Sequence, residues 1–235
     1  MTTTLITGAN KGLGYETARR LVAAGHTVYV GSRDPGRGQR AADRLGARTV
    51  VLDVTDDESV AAAAKLIAEA GGLDVLVNNA GIEGRGAGNV VIGAADVTAD
   101  IVREVFETNV FGLVRVTHAF LPLLQRSPAP VVVNVSSGLG SLALVSSPDE
   151  PGYLYPGVAY PASKAAVNMI TVQFAKQFPN MRINAVEPGF TDTDLNGHTG
   201  TQTVGEGAEI IVRMAQVTAD GPSGGYFDVN GAMAW

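Results

Sequence analysis

The sequence predicts an α/β fold: one doubly wound, largely parallel sheet of about seven strands with helices on both faces. Short apolar segments with strand character alternate with helical segments along the whole chain. The segment 73–78 is almost continuously apolar, as expected for a parallel strand covered by helices on both faces. Since no linker-like stretch interrupts this alternation, we expect residues 1–235 to form a single domain.

Composition and charge exclude several classes of protein. Hydrophobic residues make up 46% of the 235-residue chain and charged residues 17%, which suits a domain with an extensive core. The net charge of −6 provides no broad basic surface, so we expect no nucleic-acid partner. The absence of cysteine excludes disulfides and thiolate chemistry, and we expect no metal site.

The N-terminus lacks the basic and apolar pattern of a secretory signal. No segment approaches the roughly 18 apolar residues of a membrane span. We therefore expect a cytoplasmic protein without a membrane partner.

The chain opens with a βαβ unit built around three glycines. A strand is predicted over 3–7, a helix over 12–24 and a second strand over 27–31. The first turn reads Gly8-Ala-Asn-Lys-Gly-Leu-Gly14. Glycines let the backbone turn tightly and approach a pyrophosphate, whose charge the helix N-terminus stabilises. The turn predicts dinucleotide binding; the alternative is a tight turn that binds nothing.

The end of the second strand, Val30-Gly-Ser-Arg-Asp34, bears on which dinucleotide binds. Arg33 is placed to bind a 2′-phosphate, and Lys11 in the glycine turn adds a second positive charge. Both favour NADP(H) over NAD(H). Two alternatives stay open: Asp34 faces the ribose, as in NAD-binding proteins, or Arg33 pairs with Asp34 or Asp53 on the surface.

The remaining elements follow in the same alternation. Asp56 is expected to cap one of the helices. Helices are predicted over 35–46, 56–70, 98–124, 160–178 and 204–217, and strands over 49–52, 73–78, 130–136, 182–186 and 225–229.

Amide side chains follow one strand and interrupt one helix. Asn78-Asn-Ala-Gly81 ends the strand 73–78, where small and amide residues suit a crevice in which a ligand packs against backbone. A structural turn would need the glycine alone. Asn109 interrupts the apolar side of the helix 98–124, and the residues alone suggest a satisfied core amide or an exposed side chain.

A tyrosine and a lysine are the candidates for proton transfer. Tyr160 and Lys164 lie four residues apart, so they share one face of the helix 160–178. An ammonium beside a phenol favours the phenolate, and we expect Lys164 to lower the pKa of Tyr160 from about 10 toward neutral. Such a phenol exchanges a proton at working pH, as a general acid must. The alternative is a chance pair on a solvated face.

Taken together, the ordered motifs resemble the short-chain dehydrogenase/reductase family. The matching stretches are Thr7-Gly-x3-Gly-x-Gly14, Asp53-Val54, Asn78-Asn-Ala-Gly81, Asn109, Asn134-Val-Ser-Ser137, Tyr160-x3-Lys164 and Pro188-Gly189. The Ala9-Asn-Lys11 turn, the Ser-Arg33-Asp34 tip and the long gap from Ser137 to Tyr160 resemble its NADPH-dependent carbonyl-reductase branch. The resemblance implies a Rossmann-like NAD(P)-binding fold.

The resemblance also implies a catalytic tetrad. Tyr160 would protonate the carbonyl oxygen, while Lys164 would lower its pKa and hold the nicotinamide ribose. Ser137, rather than Ser136, would hydrogen-bond the substrate oxygen. Asn109 would hold a water that links Lys164 to solvent. The implied cofactor-binding residues are Gly8, Asn10, Lys11, Gly12, Leu13, Gly14, Arg33, Asp53, Val54, Asn79, Ala80, Gly81, Tyr160, Lys164, Pro188, Gly189, Thr191 and Thr193.

These features favour an NADPH-dependent oxidoreductase that reversibly reduces a ketone or aldehyde to an alcohol. The alternative is a non-catalytic NADP(H)-binding sensor or interaction protein on the same fold. Such proteins often lose the tyrosine or the lysine, and both are present here. Chemistry on a nucleotide sugar is disfavoured, since the residues after Thr193 are too few for a substrate domain. The extra residues before Tyr160 leave a dimer, a tetramer and a monomer open.

Three loops are expected to surround the substrate: residues 82–97, 138–159 and 190–207. Within the last, we expect residues 194–207 to form a mobile lid. His198 either meets a polar substrate group or is an exposed loop histidine. Aromatic and aliphatic side chains in these loops predict an apolar or ring-bearing carbonyl compound, although packing explains the same residues: Tyr153, Leu154, Tyr155 and Phe190.

Overall fold

The computed structural model describes residues 2–235 and places eight strands in one sheet. The strands span Thr3–Ile6 (β1), Thr27–Ser32 (β2), Arg48–Val51 (β3), Val75–Asn78 (β4), Val131–Val135 (β5), Arg182–Val186 (β6), Tyr226–Asp228 (β7) and Gly231–Ala232 (β8). Their order in the sheet is β3-β2-β1-β4-β5-β6-β7-β8. All pairs are parallel except the last, in which β8 runs antiparallel to β7.

Helices connect the parallel strands and cover both faces of the sheet. They span Gly12–Ala23 (α1), Pro35–Leu45 (α2), Asp57–Glu69 (α3), Ala99–Phe106 (α4), Gly112–Leu124 (α5), Leu142–Val145 (α6), Ala159–Gln177 (α7) and Val204–Ala215 (α8). The predicted doubly wound α/β fold is confirmed. None of the helices within residues 2–235 has the length and apolar character needed to span a bilayer.

Alternate residues of the central strands enter two separate hydrophobic cores. Leu5 and Leu76 pack on the face covered by α3 and α5, whereas Ile6 and Val77 pack on the face covered by α1 and α8. Because both faces are buried, the strand sequences are continuously apolar rather than alternating.

The chain reverses its direction across the sheet between β3 and β4. It first builds β2 and β3 on one side of β1, then crosses to place β4 on the other side. At such a switch point, the loops that follow two adjacent parallel strands diverge and leave a crevice between them. The loops after β1 and β4 therefore form the floor of the site.

The predicted helix 98–124 is interrupted. Thr98 caps α4, but Glu107–Phe111 form a π-helical turn between α4 and α5. Asn109 lies in that wider turn, where its side chain bonds to a neighbouring loop instead of lying along a regular helix. The apolar periodicity continues across the turn, so it gives no sign of the interruption.

Two short elements were not predicted. The four-residue helix α6 lies inside the loop 138–159, and β8 follows a tight turn after β7. In that turn, Asp228 Oδ1 accepts the N–H groups of Asn230 at 2.8 Å and Gly231 at 2.9 Å. Neither element is long enough to carry a periodic pattern.

Candidate active site

The crevice at the switch point is held together through Thr7. Its hydroxyl accepts the N–H groups of Asn79 and Ala80, both at 2.9 Å, and the Asn79 amide donates to the Thr7 carbonyl at 2.8 Å. The amide-rich segment after β4 is thereby fixed against the glycine turn after β1. Both segments belong to the predicted cofactor site, and the structure brings them together.

The glycine turn needs glycine at each of its three positions. Gly8 and Gly12 have φ angles of 64° and 55°, in the left-handed region. A Cβ on Gly14 would lie 2.6 Å from the Asn79 amide nitrogen and 2.9 Å from the Gly8 carbonyl oxygen. The first turn of α1 carries no acidic residue and no side-chain cap, so its N–H groups remain available to an anion. This arrangement fits a pyrophosphate.

Asp34 stabilises the N-terminus of α2. It caps α2 by accepting the Arg37 N–H at 2.8 Å, and its carboxylate pairs with the Arg37 guanidinium at 3.4 Å. Arg33 is exposed at the tip of β2 and has no ion-pair partner within residues 2–235. Arg33 thus forms no ion pair with Asp34 or Asp53 within 4.0 Å, although its charge contributes to lowering the pKa of Asp53. Asp53, half-buried after β3, bonds to Thr55.

A basic cavity of about 290 Å³ lies beside the glycine turn. Arg37, Arg40 and Arg44 line it from one face of α2, at a spacing of three and four residues. Lys11 also lines it and pairs with Asp194 at 2.5 Å. Sequence reasoning missed the three arginines, although their helical spacing was a readable signal. The remaining lining residues are Asn10, Tyr15, Ala41 and Asp194.

Tyr160, Lys164 and Ser137 meet where β5 ends and α7 begins. The Ser137 hydroxyl lies close enough to the Tyr160 phenol to lower its pKa. Lys164 Nζ lies 5.5 Å from the centroid of the Tyr160 ring and donates to the Val135 carbonyl at 2.8 Å. Ser136, by contrast, is buried and bonds to Asn168 Oδ1 at 2.6 Å. Of the two adjacent serines, only Ser137 reaches the phenol.

The expected lowering of the Tyr160 pKa is wrong for the protein by itself. Burial raises the pKa of Tyr160 above its ordinary value, and the charges of Glu187 and Glu83 raise it further, while the Ser137 hydroxyl opposes them. Burial also lowers the pKa of Lys164 to about 8. The net effect on Tyr160 is a raised pKa, so Tyr160 keeps its proton at neutral pH.

The side chain of Asn109 bonds to protein groups through both its oxygen and its nitrogen. Its Oδ1 accepts the Ile82 N–H at 2.8 Å, while its Nδ2 donates to the Ile82 carbonyl at 2.8 Å and to Ser163 Oγ at 3.0 Å. Asn109 therefore ties the loop after β4 to α7, close to Gly81 and Lys164. Its role in holding a water stays a prediction.

Glu187 lies in the same site and was missed from the sequence. It directly follows β6, and its carboxylate accepts the N–H groups of Gly138 and, at 2.9 Å, Gly189. Burial raises the pKa of Glu187 above its ordinary value. The signal that could have identified Glu187 from the sequence is its charge, directly before Pro188-Gly189.

The segment after β6 reaches back to the glycine turn. Thr191 donates to the Pro188 carbonyl at 3.1 Å, and the Thr193 methyl group faces Gly12.

His198 is exposed and bonds to Asp192 at 2.8 Å and Asp194 at 2.7 Å, and these carboxylates raise its pKa. The predicted mobility of residues 194–207 stays a prediction.

The wall opposite the tyrosine is more polar than predicted. Glu83 and Arg85 form an ion pair at 2.8 Å with side chains only 6% and 15% exposed. Tyr155 donates to Glu83 at 2.6 Å. These three side chains line a small cavity with Tyr160. The other expected wall residues, Tyr153, Leu154 and Phe190, are 49%, 83% and 52% exposed.

Comparison with known proteins gives consistent matches over nearly the whole chain. The family described as short chain dehydrogenase matches residues 2–203. The chain is 34% identical to a (+)-neomenthol dehydrogenase of Capsicum annuum, covering 95% of this chain and 94% of that protein. It is 34% identical to a (−)-isopiperitenone reductase of Mentha piperita, covering 98% and 97%.

Solved structures agree with these matches. An NADPH-bound carbonyl reductase from chicken fatty liver is 29% identical, covering 100% of this chain and 99% of that chain with a TM-score of 0.86. The salutaridine reductase of Papaver somniferum is 28% identical, covering 97% and 99% with a TM-score of 0.83.

The close approach at Gly14 gives a testable prediction. Gly14→Ala forces its Cβ into the Asn79 amide, so we expect the free energy of unfolding to fall by about 1–3 kcal/mol in urea titrations. Gly205→Ala is the matched control, because that helical position leaves room for a Cβ. An unchanged free energy in Gly14→Ala would contradict the packing described.

Proposed function

The chain belongs to the short-chain dehydrogenase/reductase family, and we propose that it is an NADPH-dependent reductase of a ketone or aldehyde. One observation carries the proposal: Ser137, Tyr160 and Lys164 meet beside a glycine turn built for a pyrophosphate. A phenol that keeps its proton suits the reductive direction, in which the carbonyl oxygen must receive one.

The cofactor proposal rests on the fit between the site and a dinucleotide. The glycine turn and the uncapped N-terminus of α1 would hold the pyrophosphate. Lys11, Arg33, Arg37 and Arg40 would bind a 2′-phosphate, which favours NADPH over NADH. Pro188, Gly189, Thr191 and Thr193 would complete the site. When bound, NADPH supplies a hydride to the carbonyl carbon.

The protein residues supply the proton and hold the substrate oxygen. Ser137 donates a hydrogen bond to the carbonyl oxygen and orients it toward Tyr160. Tyr160 transfers its phenolic proton to that oxygen, which yields the alcohol and leaves a phenolate. Lys164 stabilises this phenolate by its positive charge, because its ammonium lies 5.5 Å from the ring centroid.

The substrate proposal combines the relatives with the wall of the site. Relatives are named for neomenthol, isopiperitenone and salutaridine, which supports a ring-bearing compound as the substrate. Ile92 and Ile101 supply apolar surface near Tyr160, and the Glu83–Arg85 pair and Tyr155 supply polar groups. This combination suits a largely apolar ring that carries one or two polar substituents beside its carbonyl.

Replacing the proposed donor tests the mechanism. In Tyr160→Phe, we expect kcat/KM for NADPH-dependent carbonyl reduction to fall by about 10²–10⁴-fold, because the proton donor is lost. The dissociation constant for NADPH, measured by fluorescence titration, should stay within about threefold.

Tyr29→Phe is the matched control, since Tyr29 lies in the core and its hydroxyl bonds to Arg48. Near-normal turnover in Tyr160→Phe would refute the mechanism. If the wild-type protein binds NADPH but reduces no compound in a broad carbonyl panel, the non-catalytic NADP(H)-binding sensor replaces this proposal.

Variants of the basic cavity test whether the protein prefers NADPH to NADH. We expect Arg37→Ala/Arg40→Ala to weaken NADPH binding by about 10–100-fold and NADH binding by less than about threefold, because only NADPH carries the 2′-phosphate. Arg33→Ala, measured alongside, should show the same selectivity. Arg103→Ala, on the exposed surface of α4, is the control. Equal losses for both dinucleotides, or tighter wild-type binding of NADH, would contradict the assignment.

A further inference from the structure

Glu187 joins two loops of the site through their backbones. One carboxylate oxygen accepts the N–H of Gly138, which follows Ser137, and the other accepts the N–H of Gly189 at 2.9 Å. The first loop carries the serine that reaches the tyrosine, and the second follows β6. Hydrogen bonds from two backbone amides to one carboxylate fix the distance between these loops.

The peptide between Ser137 and Gly138 is held at both ends. Its N–H is bound by Glu187, and its carbonyl accepts the Tyr226 hydroxyl at 2.6 Å. Tyr226 is itself buried and stacks on Trp235 with ring centroids 5.4 Å apart. Neither peptide atom can rotate without breaking one of these bonds, so the Ser137 side chain is presented to Tyr160 from a fixed backbone.

Glu187 also carries a charge into this site. Its carboxylate raises the pKa of Lys164, against the burial that lowers it, and it raises the pKa values of Tyr160 and Tyr226. The other charged group that faces it is Asp228 of β7, which raises the pKa of Glu187. Lys164 is buried, at 4% exposure, and the negative charge of Glu187 favours its charged form.

We propose that Glu187 is a positioning residue: it fixes the Ser137 loop against the Pro188-Gly189 loop and provides the counter-charge for Lys164. The inference rests on the proposed function, because Ser137 and Lys164 affect turnover only if Tyr160 protonates a carbonyl. Glu187 thus acts, together with Ser137, on the pair of residues that transfers the proton, Tyr160 and Lys164.

The pH profile separates this role from a merely structural one. Glu187→Gln removes the negative charge, which lowers the pKa values of both Lys164 and Tyr160. The alkaline fall in kcat/KM for reduction should then move to lower pH, by about one pH unit. We also expect kcat at neutral pH to fall about tenfold, because a glutamine cannot accept both N–H groups and Ser137 loses its fixed position.

One further variant separates the effect of the Glu187 charge from that of its side-chain length, and a second serves as a control. Glu187→Asp keeps the charge but is one methylene shorter, so kcat should fall while the alkaline limb stays near its wild-type position. Glu69→Gln is the matched control on the exposed end of α3, and its profile should coincide with that of the wild type. Coincident profiles for wild type and Glu187→Gln, with kcat within about twofold, would overturn the proposal.

Amide NMR tests the same inference without a substrate. In the wild type, the amide proton shifts of Gly138 and Gly189 should change together as Glu187 takes up a proton at acidic pH, and this shared change should be absent in Glu187→Gln. Independent behaviour of the two amides would overturn the proposal. If the wild type shows the shared change but reduces no carbonyl compound, the proposed function fails and the Glu187 bridge stands.

Discussion

The raised pKa of the half-buried Tyr160 phenol is the constraint on which the rest of the site depends. At this half-buried position, desolvation and the charges of Glu187 and Glu83 together raise the pKa of Tyr160. Burial lowers the pKa of Lys164 to about 8. Each group is thus pushed toward its neutral form, and each needs polar partners: Ser137 for the phenol, and the Val135 carbonyl and Glu187 for the lysine.

The sheet provides both the burial and the partners. Because parallel strands end at one edge, the loops after β1, β4, β5 and β6 converge there. They supply the glycine turn, the Asn79 segment, Ser137 and Glu187. Hydrogen bonds then join these loops pairwise: Thr7 links the first two, and Glu187 links the last two. A site of this kind depends on cross-loop bonds as much as on the residues that do the chemistry.

The sequence predicted what depends on local pattern. Strand–glycine–helix order, apolar periodicity and the spacing of Tyr160 and Lys164 are local, and the structure matches them within a few residues. Long-range properties were not predictable in this way. The pKa of Tyr160 depends on desolvation by distant segments, Asp34 is taken up as a helix cap, and the π-helical turn at Asn109 leaves the apolar pattern intact. Glu187 became visible as a site residue only once β5 and β6 were adjacent.

Direct observation of the protonation state of Tyr160 shows whether burial or the lysine charge dominates its pKa. Tyrosine labelled with ¹³C at the hydroxyl-bearing ring carbon would report it by NMR, with the Tyr160 signal assigned by its loss in Tyr160→Phe. We predict that this carbon keeps the chemical shift of a neutral phenol from about pH 6 to about pH 10, since burial opposes ionisation. A titration to the phenolate shift near neutral pH would contradict this prediction, and would show that the charge of Lys164 outweighs burial.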